Sequence, residues 1–492
     1  MNLNADLVEK IIERYDFTDW SLLDISHLNI VKIDPDAFEK CRSRRIRSLN
    51  LQCNKDCSLF FVHSMTSKNP NQFTSFSNEH LNLFEPLEKH LIELDLSNNL
   101  FQCSFNFLHN LKHLQKLILK NCIFLSEPMF NASEADNQLL HLDLSRSKEN
   151  RLMINNPNMF NDLKRLKHLD LSGCELDHVL PALFNELKQL ETLKLNETYC
   201  YPRIYEECFR TLEKNLKEFE LSVCNADDFN LKRKVKLEKL TMSQLPLSAD
   251  KFDGPSNLRH LNLHSISSLK IGKNFFDKHK NLESVHLSAF YDSYSIYETN
   301  KIHLDAFKRP KSLKSIKLID LNLNLDAGCP LFVLAGLEHL DLSLTTERYR
   351  HAGRLIVWNE CTIERMKKLT SLNLSGNRIQ LDGDVFKNLP SLKELNLSNA
   401  LINFKNDDYD MFASLHGLEI FKCFNISTPR VSFKLHKLST LVNLKELDFN
   451  IKRLDLYHYR DMLRKGEQRQ IDYDTNPITS NEPIMDTIDC FS

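Results

Sequence analysis

Short runs of alternating apolar and polar residues recur along most of the chain, in the form apolar–x–x–apolar–x–apolar. In the run LKHLDL at 166–171, the apolar positions are Leu166, Leu169 and Leu171. Alternation with a period of two is typical of a short β-strand that buries one face. The pattern therefore predicts a strand in every run, with the leucines pointing inward and the residues between them pointing outward.

The runs return at regular intervals, which indicates a repeat rather than a series of separate domains. The spacing from Leu91 to Leu444 averages about 25 residues. A single unit of this length cannot bury its own leucines, so neighbouring units must stack and share one continuous core. The chain contains 17 such runs, which begin at Trp20, Ile46, Leu91, Leu114, Leu139, Leu166, Leu190, Leu216, Leu237, Leu258, Leu282, Leu313, Leu337, Leu369, Leu392, Leu418 and Leu444.

A second apolar position supports the same register. Six residues before a start, random placement of the chain's 31 Phe would give about one Phe among the 17 positions. Seven are observed, at Phe160, Phe184, Phe252, Phe276, Phe307, Phe386 and Phe412. These side chains are expected to pack on the side of the array opposite the strands.

The side chain eight residues after each start is expected to form hydrogen bonds with backbone groups that become buried when the repeats stack. Asn54, Asn99 and Asn377 occupy this position. Small side chains replace asparagine elsewhere, at Cys122, Ser147, Cys174, Thr198, Cys224 and Thr345. Between about 237 and 321 the position is apolar, which predicts a less regular ladder at Leu245, Ile266, Phe290 and Leu321.

The stretch LKHLDLSGCELDHVLPALFNELKQL at 166–190 resembles a leucine-rich repeat of the typical class, LxxLxLxxNxLxxLPxxxFxxLxxL, with Cys174 where Asn is usual. Residues 366–392 resemble it with Asn377 in place. The resemblance covers about residues 20–452, and the repeats are similar to those of Toll-like receptor ectodomains. It implies an α/β solenoid, a curved leucine-rich repeat horseshoe of about 15–17 repeats with a parallel β-sheet on the concave face.

The two ends depart from the repeat. Residues 1–19 are predicted to form an N-terminal helical cap, with an amphipathic helix over 3–15, before the array of 20–452. Residues 453–467 are predicted to form a C-terminal cap. The polar tail 468–492 is predicted to be disordered.

Three insertions lengthen the spacing. They are a polar insert at 52–90 and two long loops at 291–301 and 345–360. Long loops in a tight array are often functional, and aromatic residues in the two loops favour contact with a partner.

Composition and motifs exclude several classes of function. The formal net charge of −2 disfavours a dedicated nucleic-acid protein, which would usually be basic. The basic runs at 41–47, 232–236 and 308–314 are interpreted as solvated surface. The motifs HExxH, GxSxG, GxxxxGK[ST] and GxGxxG are absent, so no catalytic residue, metal or cofactor is predicted and the chain is expected not to be an enzyme.

The candidate site is the outward side of the strands, where His and Asp recur at fixed offsets from the starts. Such side chains are expected to bind a protein partner, through polar complementarity that gives specificity and association rate. The predicted partner-binding residues of the concave face are His141, Asp143, Arg146, His168, Asp170, Lys194, Glu218, Glu220, Lys239, His260, Asn262, His286 and His339. The partner's identity and the oligomeric state stay open.

Three settings fit such a scaffold. The start MNLNADLVEKIIERYDF lacks the apolar segment of a secretory signal, and 13 Cys is an odd number. The sequence contains no run of about 18 apolar residues, so no membrane span is predicted. These features favour a cytoplasmic adaptor or substrate-recognition subunit. The alternative is a secreted or receptor-type ectodomain for ligand recognition or cell adhesion, and the second alternative is an enzyme inhibitor.

Five N-x-[ST] sequons bear on the secreted alternative, because they are used only in the secretory pathway. In that setting the expected glycosylation sites are Asn131, Asn196 and Asn425. Asn373 and Asn396 lie in predicted strands, where the repeat pattern itself creates the motif.

Overall fold

The computed structural model of the chain divides into two compact units, Met1–Asn324 and Leu325–Ser492. It describes residues 2–14, 22–28, 30, 32–52, 75–76, 82–101, 110–124, 128, 130, 138–146, 151–177, 180–201, 211–212, 214–222, 236–244, 254–266, 270–289, 301–321, 335–345, 355–359, 366–382, 385–404, 414–424, 426, 441–448 and 470–472.

The main sheet of the first unit is parallel, and its successive described strands pair with one another. Its strands are Leu22–Asp24, Ser48–Asn50, Glu93–Asp95, Lys116–Ile118, His141–Asp143, His168–Asp170, Thr192–Leu195, Glu218–Ser222, Lys239–Ser243, His260–Ile266, Ser284–Ala289 and Ser315–Ile319.

The second unit has a parallel main sheet of the same kind. Its described strands are His339–Asp341, Ser371–Asn373, Glu394–Asn396, Ile420–Lys422, Glu446–Asp448 and Gln470–Asp472.

All 17 predicted starts are followed, two residues later, by the first residue of a main-sheet strand. The inward leucines are buried as the alternation requires, with Leu169 1% and Leu171 0% exposed. Burying an alkyl side chain of this size contributes roughly 1.5–3 kcal/mol. The predicted solenoid with a parallel β-sheet is therefore confirmed.

One described strand lies where the sequence predicted disorder. Gln470–Asp472, in the predicted tail 468–492, pairs in parallel with Glu446–Asp448, so the prediction is wrong for these three residues. The repeat start here would be Gln468, which is polar, and the apolar pattern therefore does not mark it. The predicted cap at 453–467 and the rest of the tail lie outside the described residues.

A second set of parallel strands, outside the main sheet, pairs from repeat to repeat, which the sequence did not predict. In the first unit these are Ser75–Phe76, Leu100–Phe101 and Ile123–Phe124; Met153–Ile154, Glu175–Asp177 and Tyr199–Tyr201; and Lys270–Ile271 with Lys301–Ile302. In the second unit they are Leu355–Asn359, Arg378–Asp382 and Leu401–Phe404.

These outer strands modify the predicted loops. The loop 291–301 ends in Lys301–Ile302, and the loop 345–360 contains the paired strand Leu355–Asn359. Residues 290–300 and 346–354 lie outside the described residues, as do 53–74 and 77–81 of the predicted insert.

The helix Ala5–Arg14 follows the strand Asn2–Leu3 and lies within the range predicted for an amphipathic helix. Asn4 precedes it and accepts the N–H of Leu7 at 2.9 Å, as an N-terminal cap does. Val8 and Ile12 are buried, and the strand Asn2–Leu3 pairs with Lys32–Ile33. Shorter helical segments are Ser26–Leu28, Glu39–Cys41, Glu85–Leu87, Leu180–Leu183, Leu304–Lys308 and Val385–Asn388.

The predicted phenylalanines form part of the core between repeats. Phe160, Phe184, Phe276, Phe307 and Phe386 are fully buried, while Phe252 and Phe412 lie outside the described residues. The rings of Phe276 and Phe307, in successive repeats, stack with centroids 5.1 Å apart. Offset ring pairs of this kind add to the stabilisation that burial alone provides.

The asparagine position pairs backbone groups between repeats, as predicted. Asn99 Nδ2 donates to the carbonyl oxygen of Leu51 at 3.0 Å, and Asn377 Nδ2 donates to that of Leu342 at 2.8 Å. In both cases the acceptor lies five residues after the start of the preceding repeat. We refer to this donor position and its acceptor as the carbonyl ladder.

Small side chains continue the carbonyl ladder where asparagine is missing. Cys122 Sγ donates to the Leu96 carbonyl at 3.1 Å, Cys174 Sγ to Leu144 at 3.4 Å, and Thr198 Oγ1 to Leu171 at 3.1 Å. Burial raises the pKa of both thiols to about 12, so each keeps the proton that it donates. Asn54, Ser147 and Cys224 lie outside the described residues.

The middle of the first unit is less regular, as predicted. Ile266 and Leu321 occupy the donor position and are buried, while Leu245 and Phe290 lie outside the described residues. The pairing of His260–Ile266 with Ser284–Ala289 shifts register between Leu263 and Ile266.

The residue seven after a start adopts a left-handed backbone in many repeats. The positive φ angles belong to Asn98, Asn121, Gly173, Glu197, Gln244, Ser265, Asp320, Gly376 and Asn399. At Gly376 a Cβ atom would lie 1.9 Å from the carbonyl oxygen of Leu344, so this repeat requires glycine for space as well as for its φ of 72°.

We expect Asn377→Ala to lower the free energy of unfolding of the second unit by about 1–3 kcal/mol, because buried carbonyls lose their donor. Asn377→Thr and Asn377→Cys should cost less, since Thr198 and Cys174 serve the same position. Urea denaturation measures the series, with exposed Ser391→Ala as control. Equal costs for alanine, threonine and cysteine would contradict the role of the donor.

Candidate functional site

The outward positions of the first unit's main sheet form two rows of polar side chains. The first row holds the residues two after each start, and the second row those four after it. Strand pairing places His141 beside His168 and Asp143 beside Asp170, all of them half-buried. We call these two rows the sheet face.

The first row contains a pair of histidines. The rings of His141 and His168 lie 5.6 Å apart between centroids, and His168 Nδ1 is 3.0 Å from Thr192 Oγ1. Burial lowers the pKa of His141, and the charges of His168 and Lys116 lower it further. His141 is therefore neutral at pH 7, able both to donate and to accept a hydrogen bond.

The second row places two carboxylates side by side. Burial raises the pKa of Asp170, and the neighbouring charge of Asp143 raises it further, while hydrogen bonds from Ser172 and the charge of Lys194 oppose the change. The raised pKa means that burial makes the charged form of Asp170 less favourable than it would be in water.

Each of these aspartates also has a local structural role. Asp143 Oδ1 accepts the N–H of Ser145 at 2.8 Å, and Asp170 Oδ1 accepts that of Ser172 at 2.9 Å. Asn50 and Asn373 accept the equivalent N–H groups in their own repeats. An oxygen acceptor at this position closes the turn that follows the strand, and a negative charge is not required for it.

The next residues along the sheet face compensate one another. Lys194 Nζ lies 3.5 Å and Lys239 Nζ 3.6 Å from Glu220 Oε1, and Lys239 also pairs with Glu218. Burial opposes ionisation of Glu220, but the hydrogen bond from Asn196 and the two lysines outweigh it and lower its pKa. These four predicted site residues form a neutral cluster.

Histidines return further along the face. His260 Nδ1 lies 2.9 Å from Ser284 Oγ, and His286 stacks on His264 with centroids 6.3 Å apart. The sequence did not single out His264, which lies six residues after its start, and burial lowers its pKa. Among the described residues, Asn262 Oδ1 has no hydrogen-bond donor.

Two predicted residues stand apart from this face. Arg146 is only 9% exposed, so its prediction as a partner contact is wrong: its guanidinium lies 4.8 Å above the Phe124 ring, and burial lowers its pKa to about 10. It lies seven residues after its start, where the chain has left the strand. His339 belongs to the second unit, in strand His339–Asp341.

Of the predicted glycosylation sites, Asn196 is described and half-buried, with its Nδ2 donating to Glu220 Oε2 at 2.9 Å. Asn131 and Asn425 lie outside the described residues.

One residue after the starts from Leu166 to Leu313 lies a row of side chains of alternating charge, which the sequence analysis missed. In the first unit this edge row runs Lys167, Glu191, Lys217, Glu238, Arg259, Glu283 and Lys314. Glu191 lies 3.3 Å from Lys167 and 2.7 Å from Lys217. The alternation in sequence, read at this one offset, was the available signal.

The second unit has an edge row of the same kind. Glu419, 27% exposed, lies 2.8 Å from Lys393 Nζ and 2.6 Å from Lys445 Nζ. Hydrogen bonds from Lys393 and then Lys445 lower the pKa of Glu419 to about 2.

Within the described parts of the chain, no group of three or more His, Cys, Asp or Glu side chains is arranged to hold a metal ion. In the same residues, no helix has the length and apolar character needed to cross a membrane.

Repeats of about 25 residues, whose strands stack in parallel and whose donor side chains form a carbonyl ladder, define a solenoid protein with a polar sheet face. The sequence model of the family described as "Leucine rich repeat" matches residues 367–422. The repeats of this chain are thus similar in sequence and fold to leucine-rich repeats.

Among curated proteins, the chain is similar to osteomodulin of Mus musculus, with 29% identity over 202 residues. The match covers 40% of this chain and 43% of osteomodulin, so the chain spans less than half the length of this relative.

Two solved structures are similar in fold. The TLR13–ssRNA13 complex is 20% identical with a TM-score of 0.48, covering 86% of this chain and 65% of that chain. The Toll–Spatzle complex of Drosophila is 16% identical with a TM-score of 0.45, covering 77% and 49%.

We expect Glu419→Gln to lower the melting temperature of the second unit slightly at pH 7. Because the folded pKa of about 2 lies below the ordinary value of 4.5, the stabilisation is present above pH 4.5 and is lost as pH falls towards 2. The difference from wild type should therefore shrink over that range in scanning calorimetry. The exposed Glu13→Gln serves as control, and a pH-independent difference would contradict the ion-pair explanation.

Proposed function

We propose that the chain is a non-enzymatic recognition protein of the extracellular, receptor or matrix type, and that the sheet face of its first unit binds a protein ligand. The leucine-rich repeat fold supports a scaffold role, because stacked repeats present an extended surface. The absence of catalytic motifs from the sequence agrees with it.

The observation that carries the proposal is the pair Asp143 and Asp170. The two carboxylates lie in register on adjacent strands, and the pKa of Asp170 is raised chiefly by its own burial and further by the charge of Asp143. A cation supplied by a ligand would relieve this unfavourable interaction. The pair thus favours a ligand that presents Lys or Arg at its contact surface.

The surroundings of the pair add directional recognition. His141 and His168 lie beside it in the first row, at strand positions that hold their rings in place. On one side, Lys194 and Glu220 begin the neutral cluster, which gives a ligand little net electrostatic attraction. The proposed contact is therefore centred on strands His141–Asp143 and His168–Asp170.

The likeness to osteomodulin supports the secreted alternative over the cytoplasmic setting that the sequence favoured. The resemblance to repeats of Toll-like receptor ectodomains and the sequons favour the same setting. We therefore propose an extracellular location.

We expect the double variant Asp143→Asn and Asp170→Asn to weaken ligand binding at least tenfold, about 1.4 kcal/mol, by removing both charges. The ligand would be found by screening the wild-type chain against individually displayed secreted and cell-surface proteins. Asparagine keeps the oxygen that accepts the N–H of residues 145 and 172, as Asn50 and Asn373 do. The melting temperature should consequently be unchanged or slightly raised.

The matched control is Asp277→Asn with Asp305→Asn, which makes the same change in charge away from the sheet face. The proposal predicts wild-type affinity for this control and a salt-dependent affinity for wild type. A ligand that binds both double variants like wild type would place its contact elsewhere.

The extracellular location predicts N-linked glycans on the protein from its native source. Enzymatic removal of these glycans should increase its gel mobility, and Asn131→Gln and Asn425→Gln should reduce the shift. Asn196→Gln should have less effect, because the Asn196 side chain is half-buried and bonded to Glu220. Unchanged mobility of the wild-type protein would favour the cytoplasmic adaptor instead.

A further inference from the structure

The edge row changes character in the early repeats of the first unit. From Lys167 onward, cations and carboxylates alternate in it, and Glu191 contacts a lysine on each side. In the repeats that begin at 46, 91 and 114, the same row holds Arg47, Ile92 and Gln115. No carboxylate follows Arg47 in this part of the row.

The backbone fixes these three residues as neighbours. The N–H groups of Ile92 and Glu93 donate to the Arg47 carbonyl, and those of Gln115 and Lys116 donate to the Ile92 carbonyl. Adjacent strands in a parallel sheet lie about 4.8 Å apart, so three such side chains share one short stretch of the sheet edge.

A surface cavity of about 340 Å³ lies at this place, lined by Arg47, Lys89, His90, Ile92, His113 and Gln115. Four of the six lining residues are basic and none is acidic. Arg47 comes from the run 41–47, which the sequence analysis interpreted as solvated surface.

Two nearby carboxylates make ion pairs with residues outside the cavity lining. Glu93 lies 3.6 Å from Lys116 Nζ, and Glu85 lies 3.3 Å from Arg42. Among the described residues, no carboxylate makes an ion pair with any of the four basic residues that line the cavity. The lining therefore carries the positive charges of Arg47 and Lys89, beside two histidines, in a chain whose net charge is close to neutral.

The lining matches the chemistry of an esterified oxyanion. Arg offers a planar fork of N–H donors for a tetrahedral anion, and Lys adds a point charge. Gln115 supplies an amide that can bond a hydroxyl group, and Ile92 an apolar surface for a ring. The volume falls at the lower end of small-molecule sites, which fits a ligand the size of a monosaccharide.

We propose that this cavity binds a sugar-sized monoester of phosphoric or sulfuric acid. A short ligand fits better than a long polyanion, because the edge row beyond Lys167 is neutralised by its own ion pairs. The site is separate from the sheet face and does not depend on the function proposed for it.

Isothermal titration calorimetry of the whole chain at low ionic strength tests the site with glucose 6-phosphate, glucose 6-sulfate and glucose. At least one monoester should bind, and uncharged glucose should not. The stronger of the two esters identifies phosphate or sulfate as the preferred group. Arg47→Gln with Lys89→Gln should weaken binding roughly tenfold or more, because charge-assisted hydrogen bonds are lost.

The matched control is Lys308→Gln with Lys311→Gln, two exposed lysines whose replacement makes the same change in net charge. It should bind like wild type, and the melting temperatures of both variants should report intact folding. The proposal is overturned if neither ester binds at millimolar concentration, if glucose binds equally well, or if both double variants lose affinity equally. Binding of dextran sulfate without binding of either monoester would also overturn it.

Discussion

The hydrogen bond from one repeat to a carbonyl of the preceding repeat is the constraint on which the rest of the structure depends. Stacking buries that carbonyl where the chain leaves the strand, and a buried acceptor without a donor costs about 1–3 kcal/mol. Asn99, Cys122 and Thr198 supply the donor with three different chemical groups. Where the position is apolar, as at Ile266 and Leu321, the strands run to seven and five residues, so backbone pairing extends further along the chain.

The same stacking decides what the sheet face offers to a ligand. Equivalent residues of successive repeats lie on adjacent strands. The neighbour of each charged side chain is therefore the residue at the same position of the next repeat. Lys194, Glu220 and Lys239 satisfy one another, whereas Asp143 and Asp170 do not. Recognition by such a surface depends less on how many charged residues it carries than on where the alternation of charge fails.

Periodicity predicted the starts, the buried phenylalanines and the donor position, because each is repeated often enough to be recognised in one sequence. The outer strands escaped it, since runs such as Met153–Ile154 are too short to show alternation. The prediction that Arg146 faces outward failed for a related reason. The number of residues after a start predicts which way a side chain points only while the chain is extended, and the chain turns at Arg146. The strand at Gln470–Asp472 lacks the apolar start that the pattern requires. Pairings such as Lys194 with Glu220 depend on register between repeats, which the order of residues alone does not specify.

The thiols of the carbonyl ladder change what the cysteine count indicates about the cellular compartment of the protein. An odd number of cysteines suggests a reducing environment when the residues are counted as candidates for disulfides. Cys122 and Cys174 are instead fully buried between repeats as protonated hydrogen-bond donors. They are therefore inaccessible to oxidants and to disulfide formation. A repeat protein can therefore use cysteine in place of asparagine in either a reducing or an oxidising compartment. Its cysteine count consequently carries little information about its location.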